Sequence, residues 1–319
     1  MISMPLVSII VPTYNHSKYI DDLFCSLINQ TYSNIEIIIQ DDCSKDDTYS
    51  KIEKFKSLYS YKFKRIYIER NENNIGLPCN LNKALHYVNG KYIKIIASDD
   101  MLMPECIEKF VQYYEIHQEY TFLLSNAYII SDNSKYNDIP NFSKLAYKIM
   151  PVYNETFFDK LLIYNFIIAP AVFLKTSEII KVGKFDERFK IEDHIVWLRL
   201  ARMGKVGIIN DVLVCYRYTI KDKLRTSFDT SNSPEYYLEI LNENLKFVKT
   251  KKMRKNALGK NLSIPLLYAI KYNDKKIFVS IKELINNSFI MYLLVIFYIV
   301  RIYLSQVKRF LVSRVYNGV

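Results

Sequence analysis

Apolar runs alternate with amphipathic segments through the first hundred residues of the chain. Four runs rich in Val, Ile and Tyr predict strands, at residues 6–11, 35–40, 65–68 and 91–98. Between them, apolar residues recur at helical spacing, at residues 19–28, 46–58 and 78–87. Strands that alternate with helices predict a parallel sheet covered on both faces. We therefore expect an α/β fold with a mostly parallel sheet flanked by helices.

The pattern continues less regularly to about residue 218. Helical spacing recurs at residues 104–120, 157–164 and 194–203, and strand-like runs occur at 122–130, 171–174, 206–210 and 212–218. We expect one α/β domain over residues 1–230 and a helical extension over 231–319. The chain has no G-x-x-x-x-G-K or G-x-G-x-x-G loop, so neither a Walker-type nor a dinucleotide-binding site is supported.

Polar side chains follow three of the predicted strands at the point where each strand ends. Thr13, Tyr14 and Asn15 follow the first, and Asp41-Asp42 and Asp99-Asp100 end the second and fourth. In a doubly wound sheet the carboxyl ends of these strands lie along one edge, where ligands bind. The sequence therefore predicts one site built from three separated motifs.

The Asp99-Asp100 pair has two interpretations. A buried strand that delivers two adjacent carboxylates is costly unless a cation lies there, and Mg²⁺ or Mn²⁺ prefers such oxygen ligands. Alternatively the pair caps the next helix, because Asp is a preferred N-cap residue and Pro104 suits a first helical turn. Both interpretations stay open on this stretch alone.

Positive charge is concentrated at one end of the chain. The 319 residues carry 44 basic and 33 acidic side chains, a net charge of +11. Residues 251–319 hold 13 basic and 2 acidic side chains, so the first 250 residues are neutral. A basic, apolar tail predicts an anionic partner, either a membrane or a nucleic acid. The neutral body favours a membrane, and we expect no specific nucleic-acid partner.

The tail alternates apolar and basic residues. Residues 289–300 are uncharged and apolar, which is shorter than the roughly 20 residues that span a bilayer. Basic residues then alternate with apolar ones from Arg301 to Arg314. This pattern favours an amphipathic helix in the interface of an anionic leaflet, over residues 286–319. A buried helix packed on the α/β domain and a true span over residues 289–307 are the alternatives.

The five cysteines are scattered, with no C-x-x-C pair, which favours a reducing compartment over a disulfide framework or a zinc site. The residues before the first predicted strand lack the basic and apolar regions of a secretory signal. We therefore expect a cytoplasmic protein associated with the inner face of the membrane.

Taken in order, several short motifs resemble the family 2 glycosyltransferases, whose GT-A fold has a Rossmann-like sheet. The resemblance runs from Val7 to Ser227. Its pieces are Val7 to Asn15, Gln30-Thr31-Tyr32, Glu36 to Asp46, Asn74-Ile75-Gly76 with Asn80, Gly90 to Asp100, Gly183-Lys184-Phe185-Asp186 and Glu192-Asp193. Each piece is common singly, and the order and spacing make the set specific.

The resemblance implies a nucleotide-diphosphate sugar donor, a divalent metal (Mn²⁺ or Mg²⁺) and inversion at the anomeric carbon. Residues expected to bind the nucleotide are Pro12, Thr13, Tyr14, Asn15, Asp41, Asp42 and Asp99. Among them, Asp42 would hydrogen-bond the base, and Asp99 would contact the ribose or the metal. Asp100 would ligate the metal that bridges the diphosphate. Taken singly, Thr13-Tyr14-Asn15 is also typical of a plain turn, and Asp41-Asp42 is also typical of a solvated loop.

The same resemblance makes Asp193 the general base that removes the proton of the acceptor hydroxyl. A negative charge at a helix N-terminus is the alternative interpretation of Glu192-Asp193. Glu192, Arg217 and Arg225 are candidate contacts to the diphosphate or the acceptor. The two arginines stand where some relatives supply a metal-binding His.

The chain departs from the family pattern at several positions. Ala97 replaces an Asp that many relatives carry two residues before the carboxylate pair, and Cys79 replaces a basic residue. The Gln-x-x-Arg-Trp motif of processive polysaccharide synthases is absent, so we expect the addition of a single sugar. With fewer carboxylates nearby, Asp100 should carry more of the metal coordination.

These features predict transfer of one sugar, from a donor we expect to be UDP-linked, to a glycan or lipid-linked acceptor. Synthesis of a surface polysaccharide, lipopolysaccharide or capsule would suit the basic tail. The alternative is a non-catalytic relative that binds a nucleotide-sugar or acts as a scaffold in the same pathway.

Overall fold

The structure is a computed structural model. It describes residues 4–141, 146–147, 155–163, 165–189 and 193–217, together with isolated residues and short runs between 238 and 296. The described chain divides into two compact units. The first comprises Met1–Asn154 and Phe166–Phe228, and the second comprises Glu155–Asn165 and Asp229–Val319. The predicted membrane-associating segment, residues 286–319, lies outside the described residues apart from position 296.

The first unit contains a nine-stranded sheet in the part of the chain that the structure describes. The strands are β1 (Val7–Thr13), β2 (Ile35–Asp41), β3 (Arg65–Arg70), β4 (Tyr92–Ile95), β5 (Met101–Leu102), β6 (Tyr120–Ile130), β7 (Ala146–Tyr147), β8 (Val172–Lys175) and β9 (Lys205–Arg217). Their order is β3-β2-β1-β4-β8-β6-β9-β5, with β7 paired to β6.

Seven α-helices accompany the described strands. They are α1 (Ile20–Ile28), α2 (Thr48–Tyr59), α3 (Leu77–Leu85), α4 (Cys106–Ile116), α5 (Glu155–Ile163), α6 (Thr176–Lys181) and α7 (Asp193–Met203). Helix α5 belongs to the second unit. No helix among the described residues is both long enough and apolar enough to cross a membrane.

Strands β1, β2, β3 and β4 are parallel to one another, as the alternating pattern predicts. Every residue of β1 and β2 is buried, which explains why both read as continuous apolar runs. The stacked rings of Phe24 and Phe55, 4.0 Å apart, join α1 to α2. Because crossovers between parallel strands are right-handed, the reversal of order after β3 places α3 on the opposite face of the sheet. The sheet is therefore doubly wound, and its order reverses between β1 and β4.

The second half of the sheet is mixed. Strand β8 runs antiparallel between β4 and β6, β9 is parallel to β6, and β5 is antiparallel to β9. The two strands predicted at 206–210 and 212–218 are one strand, β9, with a register shift opposite Asn126. The side chain of Asn126 donates to the carbonyl of Asn210 (2.5 Å), and Asp211 pairs with Lys109 (2.9 Å). The polar interruption is therefore a bulge within a continuous strand.

Candidate active site

The three polar motifs meet at the carboxyl edge of the sheet, where the strand order reverses. Thr13 pairs with Asp41 across β1 and β2, and Ile10 pairs with Ile95 across β1 and β4. The residues that follow these strands therefore lie on one edge, which confirms the predicted co-location. This is the switch point of the doubly wound sheet, where ligands of such folds bind.

Asp41 is a buried link within this edge. Its carboxylate accepts hydrogen bonds from the hydroxyls of Thr13 (3.0 Å) and Ser44 (2.5 Å) and from the Ser44 backbone N–H (3.0 Å). Arg70 lies 3.3 Å from its second oxygen. With Asp41 fully buried, these partners position the turn after β2 and the end of β1. Pro12, one residue earlier, is buried within β1.

Tyr14 and Asn15 form the outward part of the first motif. The Tyr14 side chain is 43% exposed, which leaves its ring available to a ligand. Asn15 has a φ of 54°, a left-handed conformation that Asn tolerates better than most residues. Its backbone N–H donates to the Ser44 hydroxyl (3.0 Å), and its side-chain oxygen accepts from the Lys45 N–H (2.8 Å). These bonds join the turns after β1 and β2.

Asp42 holds the loop between β3 and α3. One carboxylate oxygen accepts from the Asn71 side chain (2.9 Å) and the Ile75 N–H (2.8 Å), and the other accepts from the Gly76 N–H (3.0 Å). Gly76 has a φ of 84°, which glycine adopts without strain. A carboxylate offers about four acceptor positions, so one remains on the oxygen that faces Gly76.

Asn80 of α3 extends this network through Asn71. Its side-chain oxygen accepts from Asn71 (2.7 Å), and its amide donates to the Gln40 carbonyl (2.9 Å). The network thus runs from β2 through α3 to the loop that Asp42 holds. Sequence reasoning found the motif, whereas the partners depend on the tertiary structure.

The Asp99-Asp100 pair lies in the turn after β4. Asp100 is 2% exposed, and one of its oxygens accepts the backbone N–H of Arg217 (2.8 Å). Burial, reinforced by the charge of Asp99, raises the pKa of Asp100 well above its ordinary range. The Asp99 side chain is 28% exposed. The capping interpretation is wrong, because Met101 and Leu102 form β5 and the N-cap of α4 is Glu105.

His16 is a site residue that sequence reasoning missed. Its Nδ1 lies 2.7 Å from the Ser98 hydroxyl and 4.0 Å from the Asp99 carboxylate. Its backbone N–H donates to the Thr48 hydroxyl (2.8 Å). The imidazole therefore bridges the turns that follow β1 and β4. Its position directly after Thr13 to Asn15 is the one signal in the sequence that could have identified it.

Arg217, a candidate contact to the diphosphate, is 4% exposed at the end of β9. Its side chain donates to the backbone carbonyls of Asp99 (2.8 Å), Ser131 (2.6 Å) and Ser134 (3.0 Å). Most of its donors are thus directed at the protein. The other arginine of that prediction, Arg225, lies outside the described residues.

Asp193 is the first residue of α7, where the helix dipole favours its negative charge. Glu192 lies outside the described residues. The helix is fixed to the sheet by Trp197, whose ring stacks on Phe122 at 5.9 Å. It is also joined by Arg199 to Asp186 of the Gly183 to Asp186 motif (2.8 Å). The role of Asp193 as a base stays a prediction.

The motif at Asp186 has a structural role in the described contacts. Hydrogen bonds from Arg188, opposed by burial and supported by Arg199, lower the pKa of Asp186 to about 2. Asn82 of α3 accepts from the Phe185 N–H (3.1 Å) and donates to its carbonyl (2.8 Å). The motif therefore ties α7 to α3.

The sequence model of glycosyl transferase family 2 matches residues 8–177, more than half of the chain. The chain belongs to glycosyltransferase family 2. The matched segment contains every residue of the three edge motifs, from Pro12 to Asp100.

Named relatives and a solved structure agree with this family. This glycosyltransferase is 31% identical over 236 residues to an uncharacterized glycosyltransferase of Methanocaldococcus jannaschii, covering 73% of this chain and 78% of the relative. It is 28% identical over 215 residues to WfgD of Escherichia coli, named UDP-Glc:alpha-D-GlcNAc-diphosphoundecaprenol beta-1,3-glucosyltransferase, covering 67% of this chain and 77% of WfgD. Residues 1–349 of S. aureus TarS, solved in complex with UDP-GlcNAc, have a TM-score of 0.65 at 20% identity, covering 88% of this chain and 79% of that fragment. The likeness to TarS shows the GT-A fold.

The carboxylates of this glycosyltransferase suit a divalent cation that takes its remaining ligands from the substrate. No group of three or more His, Cys, Asp or Glu side chains in the described part of the chain is arranged to hold a metal. Asp99 and Asp100 offer two carboxylates, and burial, with the charge of Asp99, raises the pKa of Asp100, so a cation there would stabilise its ionised form. Mg²⁺ and Mn²⁺ commonly take one or two carboxylates and complete their shell with phosphates and water.

Proposed function

We propose that this glycosyltransferase transfers one sugar from a UDP-sugar to a lipid-linked glycan, with inversion at the anomeric carbon. The observation that carries the proposal is the pair Asp99 and Asp100 at the switch point, on the same edge of the sheet as the exposed Tyr14 and the loop that Asp42 holds. This arrangement offers a surface for a base, acceptors for its N–H groups and carboxylates near a diphosphate.

The residues divide the work of donor binding. Tyr14 lines the base and ribose, and the remaining acceptor position on Asp42 receives an N–H of the base. Asp99 and Asp100 would hold a divalent cation, which would supply charge stabilisation for the leaving diphosphate. The buried hydrogen bond from Thr13 to Asp41 stabilises the backbone at this edge.

Asp193 takes the proton from the acceptor hydroxyl as that oxygen attacks the anomeric carbon. A positioned base contributes typically about 10²–10⁴-fold to such a step. Attack from the face opposite the nucleotide inverts the anomeric centre in one displacement, so no covalent sugar–enzyme intermediate is needed. The absence of the Gln-x-x-Arg-Trp motif from the sequence supports a single addition.

The names of related proteins support the substrates. WfgD is named for a UDP-glucose donor and a diphosphoundecaprenol acceptor, and TarS was solved with UDP-GlcNAc. A lipid-linked acceptor would be met at an anionic membrane surface. The basic, apolar segment at residues 286–319 would then hold the enzyme peripherally at the cytoplasmic face.

A donor panel tests this function. The protein is incubated with a polyprenyl-diphosphate-linked sugar as acceptor and with one donor at a time: UDP-glucose, UDP-N-acetylglucosamine or GDP-mannose. Each reaction is run with Mn²⁺ and with EDTA. We expect Mn²⁺-dependent release of UDP and a product one sugar larger, with an inverted anomeric configuration by NMR. Binding of the donors without release of nucleotide would instead indicate a non-catalytic relative.

A further inference from the structure

The guanidinium of Arg217 lies between two segments that are distant in the sequence. Its Nε donates to the Asp99 carbonyl (2.8 Å), and its backbone N–H donates to the Asp100 carboxylate (2.8 Å). Two bonds from one residue therefore hold both the backbone and the buried side chain of the carboxylate turn.

The second segment follows β6, and we call residues 131–139 the strap. The Nη1 of Arg217 donates to the carbonyls of Ser131 (2.6 Å) and Ser134 (3.0 Å), at the first turn of the strap. Asp132 lies there too, with its carbonyl 3.3 Å from Nη1. The guanidinium thus reaches the carboxylate turn with one nitrogen and the strap with another.

Tyr19, the N-cap of α1, and Asp22, in its first turn, also contact Arg217 or the strap. The guanidinium lies over the ring of Tyr19, 4.9 Å from its centroid, and the hydroxyl of Tyr19 donates to the Asp132 carboxylate. Asp22 accepts from the Tyr136 N–H (3.0 Å) and pairs with Lys135 (3.1 Å). The strap is therefore docked on α1 by charge and on Arg217 by hydrogen bonds.

Only a guanidinium can make this set of bonds. Its donors leave a rigid plane in several directions, whereas the ammonium of lysine is a compact charge at the end of a flexible stem. The plane also stacks on an aromatic ring while its edge donates. The remaining nitrogen, Nη2, is buried and has no acceptor among the described residues.

We propose that Arg217 is a positioning residue, which holds the Asp99-Asp100 turn and the strap in a single arrangement. The proposal rests on the proposed function, because that function places the donor's cation at this turn. A displacement of the strap then also displaces the carboxylates, because Arg217 is hydrogen-bonded to both segments. Arg217 therefore affects the concentration of divalent cation that the enzyme needs, and it does so without contacting the sugar.

The test compares Arg217→Lys with the matched control Arg65→Lys in the full-length protein. The Arg65 side chain is 37% exposed, and it pairs with Glu36 (3.0 Å) at the amino ends of the strands, away from the carboxylate turn. In Arg217→Lys, we expect hydrogen exchange at residues 97–103 and 131–138 to accelerate together by about tenfold or more, because charge-assisted bonds are lost. In Arg65→Lys both segments should exchange as in the wild type.

A second readout follows the chemistry. The Mn²⁺ concentration for half-maximal UDP release from UDP-glucose or UDP-N-acetylglucosamine should rise about tenfold or more in Arg217→Lys. The kcat at saturating Mn²⁺ should stay within a few-fold of wild type. If Arg217→Lys does not fold, Tyr19→Leu removes the ring beneath the guanidinium, and the same two segments should loosen.

The outcomes separate the two proposals. Unchanged protection of either segment would overturn the positioning role. The positioning role would also be overturned if Arg217→Lys bound UDP more weakly but needed the same Mn²⁺ concentration for half-maximal UDP release. That result would indicate direct contact with the diphosphate through Nη2. If the wild type releases no nucleotide from any donor, the proposed function fails, and the exchange measurement still decides whether Arg217 holds the two segments.

Discussion

The backbone N–H of Arg217 donates a 2.8 Å hydrogen bond to the carboxylate of Asp100, although the two residues are 117 positions apart. The bond joins the end of β9 to the turn after β4. A turn at the edge of the parallel half of the sheet therefore depends on the mixed half for its shape. The buried carboxylate is held at one oxygen by the protein, which fixes the orientation of the side chain.

Asp193→Asn tests the base. We expect transfer to fall about 10²-fold or more, because the amide cannot take the proton of the acceptor. The affinity for UDP should stay unchanged, since the diphosphate and base contacts are intact. The measurement is kcat for sugar transfer beside the dissociation constant for UDP. Transfer at the wild-type rate would remove Asp193 from this role.

Asp42→Asn tests the loop between β3 and α3. The amide nitrogen would face the Gly76 N–H, so that two donors oppose each other where a 3.0 Å bond exists now. We expect a loss of about 1–3 kcal/mol in the free energy of unfolding. The affinity for UDP should fall about tenfold or more, because the acceptor left for the base becomes a donor.

Glu36→Gln is the matched control. Glu36 is a buried carboxylate near the start of β2, the strand that Asp42 follows, and it accepts from Ser8 (2.5 Å) and from the Asn89 N–H (2.7 Å). We expect a similar loss of stability with an unchanged affinity for UDP. Equal losses of UDP affinity in both variants would show that Asp42 acts through stability alone.

Asp186 should make stability dependent on pH in the acid range. Hydrogen bonds from Arg188, with support from Arg199, lower its folded-state pKa to about 2. A group whose pKa is lowered on folding stabilises the protein above its unfolded value, about 4, and this contribution is lost as the pH falls through the folded value.

The measurement is urea unfolding of wild type and Asp186→Asn at several pH values. Asp186→Asn should cost about 2 kcal/mol near neutral pH, and the difference should shrink as the pH falls from about 4 to about 2. A difference that does not change with pH would show that packing, rather than charge, accounts for the loss.

Deletion of residues 286–319 tests the tail. The segment is basic and apolar, and an interfacial helix of this kind binds anionic lipid through both properties. We expect the truncated protein to move from the membrane fraction to the soluble fraction while it still releases UDP from the donor. Unchanged recovery with membranes would locate the association elsewhere in the chain.

The sequence predicted the parts of the fold whose signal is local. Strands β1 and β2 are buried on both faces, so each reads as an unbroken apolar run, and the polar residues at their ends mark the ligand edge. It missed β5, which has two residues and exists only because β9 pairs with it. It also divided β9 at Asp211, where a bulge interrupts the apolar pattern.

The candidate site was predicted as a set of residues but not as a network. The motifs identified Asp41 and Asp42, whereas their different partners follow from contacts about 30 or more residues away in the sequence, with Thr13, Arg70 and Gly76. His16 carried no periodic signal. Long-range partners of this kind depend on strand register, which a local pattern does not specify.

The central claim is that the carboxylate pair binds the donor diphosphate through a divalent cation. The most direct test is calorimetric titration of UDP into wild type and Asp100→Asn, each with Mn²⁺ and with EDTA. We expect the wild type to bind UDP about tenfold or more tightly with Mn²⁺, and Asp100→Asn to bind UDP equally weakly in both conditions. Wild-type affinity of Asp100→Asn in the presence of Mn²⁺ would contradict the claim.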